Sequence, residues 1–197
     1  MNFLAHIFLS FGDKEITIGN FIADSIRANK FQHLPTKVQK GIKLHRHIDT
    51  YTDAHSIPKI SSRRLHANYS HYSRVIVDIY YDHFLAKNWS KYSDTPLDIF
   101  VEDFYDLLED NYEILPEGVK RMMPYMISDN WLYNYSKMEG IGNVLNGMNR
   151  RTKNKSKMNF AIIDLEEHYD SFEKEFTEFF EELITFSKHK YISLFSK

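Results

Sequence analysis

At 197 residues, 43% hydrophobic and 15% aromatic, the chain is long enough for one domain with a full core and too apolar for intrinsic disorder. The absence of cysteine excludes a thiolate zinc site, a disulfide scaffold and a cysteine nucleophile, and it fits a cytoplasmic protein. A net charge of -2 argues against general affinity for nucleic acid.

Seven glycines and five prolines are few for this length, and apolar residues recur with helical period throughout. The stretch from Met1 to Phe11 is apolar like a signal peptide. It lacks a basic start, carries His6 and has no small-residue cleavage site after it, so a first core helix is expected over about 2–11. A second helix is expected over 16–29, with Asn20, Asp24 and Ala28 on one line. Pro35 and Thr36 open a third, running to about 53. A short basic helix or loop follows over 56–68, with Arg63, Arg64 and His66, and then a long helix over 71–91. Thr95-Pro-Leu-Asp98 resembles a capping box and opens a helix to about 112. Residues 116–135 read as helix with a break at Pro124, and Ser136-Lys-Met-Glu139 is a second capping-box pattern leading to Arg151. Arg150 to Lys157 holds five cations and no anion, which is a solvated loop or a docking loop. A glutamate-rich last helix over 160–186 carries Phe172, Phe176, Phe179 and Phe180. No strand pattern, repeat, linker or membrane-length apolar run is found. The expected architecture is an all-α, single-domain helical bundle over 1–197.

Two of these helices carry the chemistry. Val38, Ile42, His45 and Asp49 recur at spacings of four and three, so one face of the third helix begins apolar and ends as an imidazole and a carboxylate one turn apart. On the 71–91 helix, Asp78 and Asp82 fall inside the apolar arc of Val75, Leu85 and Trp89. Buried carboxylates are costly unless paired or bound to a metal, and two a turn apart repel each other. His45, Asp49, Asp78 and Asp82 are therefore expected to converge on one divalent cation. The plainer alternatives are a structural His45–Asp49 hydrogen bond and a rotated helix with both aspartates in water.

Six segments in order resemble the acyl carrier protein phosphodiesterases: Met1-Asn-Phe-Leu-Ala-His6, Gly19-Asn-Phe-Ile-Ala-Asp24, Gly41-Ile-Lys-Leu-His-Arg-His-Ile-Asp49 with Thr52-Asp53, Tyr81-Asp-His-Phe-Leu85 with Trp89, Val144-Leu-Asn-Gly-Met148, and Asp164-Leu-Glu-Glu-His-Tyr-Asp170. The resemblance runs to about Asp170 and leaves the last dozen residues unmatched. It implies an HD-domain-like fold, distantly related to HD metal phosphohydrolases. It also implies hydrolysis of the phosphodiester between 4′-phosphopantetheine and a serine of holo-acyl carrier protein by a metal-activated water, with a divalent metal, commonly Mn²⁺. The chain departs from the wider HD pattern in having no adjacent His-Asp pair, only the reversed Asp82-His83. Imidazole and carboxylates without thiolate suit Mn²⁺, Mg²⁺ or Fe²⁺.

Beside this resemblance, Asp24 becomes a further candidate ligand, with an ion pair to Arg27 as the alternative. Arg46 is a candidate for holding a phosphoryl oxygen. His6 and His83 are candidates for protonating the leaving serine oxygen, although His6 on an apolar helix also fits a hydrogen-bonded core histidine. Asp164 with His168 reads as structural buttressing. The carrier protein is small, acidic and helical, so docking is expected on Arg150, Arg151, Lys153 and Lys155, with Arg63 and Arg64 as second candidates. Other readings are an HD-like phosphohydrolase of a nucleotide or other small phosphodiester and a non-catalytic carrier-protein-binding module. A carboxylate-bridged iron oxidoreductase is disfavoured by the absence of a Glu-x-x-His pair. No nucleic acid and no membrane are expected as partners, and the oligomeric state is open.

Overall fold

The computed structural model describes residues 1–27 and 29–195, and every regular element among them is helical. The α-helices are α1 (Phe3–Phe8), α2 (Lys14–Ile22), α3 (Thr36–Ala54), α4 (Ser56–Tyr69), α5 (Ser73–Lys87), α6 (Leu97–Asp110), α7 (Glu117–Ser128), α8 (Trp131–Asn134), α9 (Met138–Arg151), α10 (Ala161–Glu167) and α11 (Tyr169–Phe195). They enclose one continuous apolar core. Its centre is aromatic. Phe172, Phe176, Phe179 and Phe180 of α11 are fully buried; Tyr81 of α5 meets Phe176 edge-on and Phe179 tilted, and Phe84 stacks on Phe176.

Several boundaries differ from expectation. Helix α2 stops at Ile22, and Ala23–Ser25 forms a 3₁₀ turn, so Asp24 leaves the helical line of Asn20; Ala28 lies outside the described residues. The basic segment over 56–68 is a full helix, α4. Pro124 does not break α7, which continues to Ser128; the break falls at Asn130, in the left-handed region at φ 46°. The last helix is interrupted at His168 and then runs to Phe195. Neither capping box forms: α6 starts after Pro96 and α9 after Lys137, both without a side-chain cap.

Two contacts position the site. The first is the crossing of α2 and α3 at Gly19 and Gly41. A Cβ on Gly19 would stand 2.0 Å from the Val38 carbonyl oxygen, and one on Gly41 2.3 Å from the Ile16 carbonyl oxygen. Only glycine lets the two backbones approach this closely. The second is Asp82. Its carboxylate, fully buried on α5, accepts from the main-chain N–H of Leu4 at 2.7 Å and of Ala5 at 3.3 Å. Asn2, at the N-cap position of α1, supplies no side-chain cap, so Asp82 satisfies these otherwise orphaned donors from another helix.

Gly41→Ala is expected to destabilise the protein by about 3 kcal/mol or more, because backbone on the facing helix cannot yield as a side chain can. Gly142→Ala on α9, where an added Cβ meets nothing, is expected to stabilise by roughly 0.5–1 kcal/mol. Urea unfolding of both variants measures the difference; comparable small effects would dissolve the argument for a forced crossing.

Candidate metal centre and active-site cleft

His6 on α1, Asn20 on α2, and His45 and Asp49 on α3 meet where these three helices pack. The imidazoles of His6 and His45 are buried and stacked, 3.9 Å between centroids and 16° from parallel. Asn20 sets the tautomer of each ring. Its side-chain NH₂ donates to the His6 carbonyl at 2.7 Å and to the Ser10 hydroxyl at 3.0 Å, which leaves its Oδ1 to accept from His6 Nδ1–H at 2.9 Å. Its main-chain carbonyl accepts from His45 Nδ1–H at 2.8 Å.

Both Nε2 atoms then face one carboxylate. His6 Nε2 is 3.2 Å from Asp49 Oδ1, and His45 Nε2 is 3.0 Å from Asp49 Oδ2. Asp24 brings an oxygen to 3.1 Å from His45 Nε2. Despite its nearness to Asp49, His6 Nε2 is a buried nitrogen without a hydrogen-bond partner. In its tautomer it offers only a lone pair, and a lone pair facing a carboxylate oxygen repels it.

The charges follow from this packing. Burial, helped by the neighbouring His45 imidazolium, holds His6 neutral with a pKa of about 4. Burial opposes charge on His45 too, but hydrogen bonds to Asp24 and Asp49 outweigh it and raise its pKa to about 9. Burial likewise pushes Asp49 up, yet its hydrogen bond and ion pair with the His45 imidazolium hold it well below the usual carboxylate range. The bond to His45 also lowers the Asp24 carboxyl. Ligand atoms of His6, His45 and Asp49 all lie within 4.8 Å of one another. His6 offers a bare Nε2 lone pair, and His45 offers one when a cation displaces its Nε2 proton. With the ionised Asp49 carboxylate at that spacing they fit a divalent cation, and their other ring nitrogens are already anchored as metal-ligating histidines require.

Asp49 and Asp24 open onto a cleft of about 220 Å³, whose other walls include Asp53, Asp78, Lys59 and Arg74. Arg74 Nη1 stands 3.7 Å from Asp53 Oδ1, and Lys59 Nζ donates to the Ala54 carbonyl at 2.8 Å. Neither cation was expected from the sequence. Arg74 had a signal, since it precedes Asp78 by one helical turn and shares its face; Lys59 had none.

The structure corrects several expectations. Asp82 is not with the cluster: both its oxygens serve the α1 N–H groups, and burial raises its pKa to about 7 against those bonds. Asp78 faces the cleft but pairs with the Met1 amino group at 3.0 Å. His83 lies elsewhere. Its Nδ1–H donates to the Tyr135 carbonyl and its Nε2 accepts from the Tyr169 hydroxyl, each at 2.7 Å, and it lines neither the cleft nor the larger groove beside it. That removes it as the proton donor. The Arg46 guanidinium lies over the Phe31 ring, 5.0 Å from its centroid, and is absent from the cleft wall. Arg64 is committed to Glu175 by bonds of 2.5 and 2.9 Å and covers Phe172, while Arg63 is exposed on α4 and lines neither cavity. Arg150 and Arg151 line the larger groove; Lys153 and Lys155 are exposed on the loop beyond them. Asp164 takes hydrogen bonds from the Tyr69 hydroxyl and from Asn68, as a buttress would.

The chain is 34% identical to an acyl carrier protein phosphodiesterase of Escherichia coli, with 96% of this chain and 99% of that protein covered. It is 32% identical to the one of Photorhabdus laumondii, with 96% of each covered. It is 30% identical to that of Pectobacterium atrosepticum, with 95% and 98% covered. No solved structure matches it, so the likeness to HD-domain hydrolases rests on the sequence resemblance alone. Among the described residues no helix is long and apolar enough to cross a membrane. The family model described as acyl carrier protein phosphodiesterase matches residues 1–183, and the chain belongs to that family.

Proposed function

We propose that the protein hydrolyses the phosphodiester joining 4′-phosphopantetheine to the serine of holo-acyl carrier protein, using a divalent cation held by His6, His45 and Asp49, with Asp24 as a further ligand. Family membership supports the substrate. The observation that carries the metal centre is the orphaned His6 Nε2, aimed with His45 Nε2 at one carboxylate. Two imidazoles with carboxylates and no thiolate suit Mn²⁺, Mg²⁺ or Fe²⁺ at a hydrolytic site that keeps open positions, and the family resemblance favours Mn²⁺ among them. When bound there, the cation supplies a lowered water pKa and neutralisation of a phosphoryl oxygen. The same reading places the enzyme in the cytoplasm.

The chain's own residues do the rest. Asn20 holds both imidazoles in the ligating tautomer. Arg74, at the mouth of the cleft, faces the non-bridging phosphoryl oxygens, in place of Arg46. His6, buried behind Asp49, is a ligand and not a proton donor. Lys59 is the cleft group able to give a proton to the leaving serine oxygen.

Incubation of holo-acyl carrier protein with the enzyme and Mn²⁺ is expected to lower the carrier's mass by one phosphopantetheine. Asp49→Ala should lose metal and activity together, measured by metal analysis and by that mass shift. Full metal content in an inactive Asp49→Ala would move Asp49 from ligand to substrate contact. Mn²⁺ at 100 times its dissociation constant should stabilise the native state by about 2.7 kcal/mol.

Arg74→Gln is expected to lower kcat roughly 10²–10³-fold on both the carrier protein and a nitrophenyl phosphodiester. Lys59→Met should slow only the carrier reaction, because nitrophenolate leaves without a proton. Equal losses for Lys59→Met on both substrates would count against the donor role.

The pH dependence of stability should change with metal. In chelator, the folded state holds a proton on His45 up to pH about 9 that the unfolded state releases near its ordinary pKa of 6.5. That stabilisation is complete below pH 6.5 and is lost as pH rises to 9. With Mn²⁺ saturating the site, ligation requires the deprotonated imidazole, so stability should rise with pH up to about 6.5, where the unfolded state gives up its proton, and be flat from there to 9. Melting curves with and without Mn²⁺, repeated on His45→Gln, test this; an unchanged slope in that variant would assign the effect to another group.

A further inference from the structure

A groove of about 1290 Å³ runs from the cleft between α7 and α9, meeting the cleft at Met1, Asp24 and Asp78. Its walls are apolar and adaptable near the middle, with Val119, Met122 and Tyr125 on α7 facing Val144 and Met148 on α9. Tyr125 is 65% exposed there. Its wall also carries Arg121, Arg150 and Arg151, all exposed. Of the three glycines of this wall, Gly140 is packed against the Asn134 backbone, but Gly118 and Gly147 have no internal reason. A Cβ on Gly118 would meet nothing within 4 Å, and one on Gly147 only the Arg150 Nη2 at 4.0 Å. Glycine inside a helix costs about 1 kcal/mol relative to alanine, and here nothing in the chain's own packing repays it.

We propose that this groove docks an acidic amphipathic helix of the carrier protein, so that the phosphodiester it bears lies over the His6–His45–Asp49 cluster. The proposal rests on the reading of the substrate given above and adds the surface that selects it. Size favours a helix over a thin flexible arm: ten residues of helix, about 15 Å long and 10 Å across, occupy about 1200 Å³. Walls with methionines and aromatic side chains suit the apolar face of such a helix. The three arginines suit its acidic flanks, whereas pantetheine, uncharged beyond its phosphate, offers them only neutral carbonyl and hydroxyl acceptors. The groove's opening into the cleft places the modified serine at or beside one end of the docked helix.

Titration of the enzyme with apo-acyl carrier protein tests the groove without the arm or the reaction. Gly147→Leu fills the groove from a position with room for its Cβ, and apo-carrier affinity should fall about tenfold or more. Gly147→Ala should keep the melting temperature at or above wild type, which separates occlusion from misfolding. Arg121→Glu with Arg151→Glu should weaken binding and flatten its dependence on salt, since exposed charges are screened within about 8–10 Å at physiological ionic strength. Unchanged apo-carrier affinity in Gly147→Leu overturns the proposal. So does a loss confined to holo-carrier and to phosphopantetheinyl-serine, which would give the groove to the prosthetic arm. A wild-type enzyme that binds apo-carrier through the groove but releases no phosphopantetheine would refute the proposed reaction and leave the docking site standing.

Discussion

The site depends on the Asn20 side chain and its carbonyl. One residue of α2 fixes the proton of His6, on α1, through its amide oxygen and that of His45, on α3, through its main chain. Two neutral imidazoles have four tautomer combinations, and only one presents both Nε2 lone pairs to Asp49. Asn20 can make both contacts because Gly19, its neighbour, lets α2 lie against the backbone of α3. A wider crossing would carry Asn20 away from His45, and the second tautomer would no longer be set.

The position of His6 has a separate origin. Helix α1 has six residues, too few to be stable alone, and it lacks a side-chain cap of its own. Asp82 supplies the missing acceptors from α5, where its buried charge meets the positive end of a helix. A buried carboxylate was therefore matched to the wrong partner in the sequence reading. The rule that such a group must be paired or metal-bound omits helix N-terminal N–H groups, which do the same job. Asp78, one turn away, stays at the cleft because its partner is a cation and not a helix end.

What was legible in the sequence was periodicity. The face of Val38, Ile42, His45 and Asp49 is set by a spacing internal to one helix, and α3 presents it inward to the cluster. The same spacing gave the aromatic face of α11. Features decided by contacts between helices were not legible. Asp24 reaches His45 because α2 yields to a 3₁₀ turn, and nothing in the local sequence marks Ile22 as its last residue. Pro124 sits within α7, and the chain turns instead at Asn130, a residue type that tolerates the left-handed region. His83 carried the chemistry of a proton donor, but its place on the far side of α5 gave both ring nitrogens to Tyr135 and Tyr169. Arg74 and Lys59 enter the site from α5 and α4, and only the packing of those helices brings them to one cleft.

The charge of the cleft ties the metal centre to the groove. Asp24, Asp49, Asp53 and Asp78 are balanced by Lys59, Arg74, the Met1 amino group and the His45 imidazolium, so an anionic phosphodiester entering it meets no net attraction. The divalent cation proposed for the cluster would supply that attraction at the point where phosphorus must sit. It does little for an approaching protein, because charges in water are screened within about 10 Å. Affinity for the carrier must therefore come from contacts away from the reacting atoms, and the arginine-bearing groove that opens into the cleft is placed to provide them. Binding energy gained there can hold the phosphodiester against the acidic walls, which is how remote contacts are converted into rate. On this arrangement a small diester lacks that holding energy, and selectivity for a protein substrate follows from the contacts in the groove.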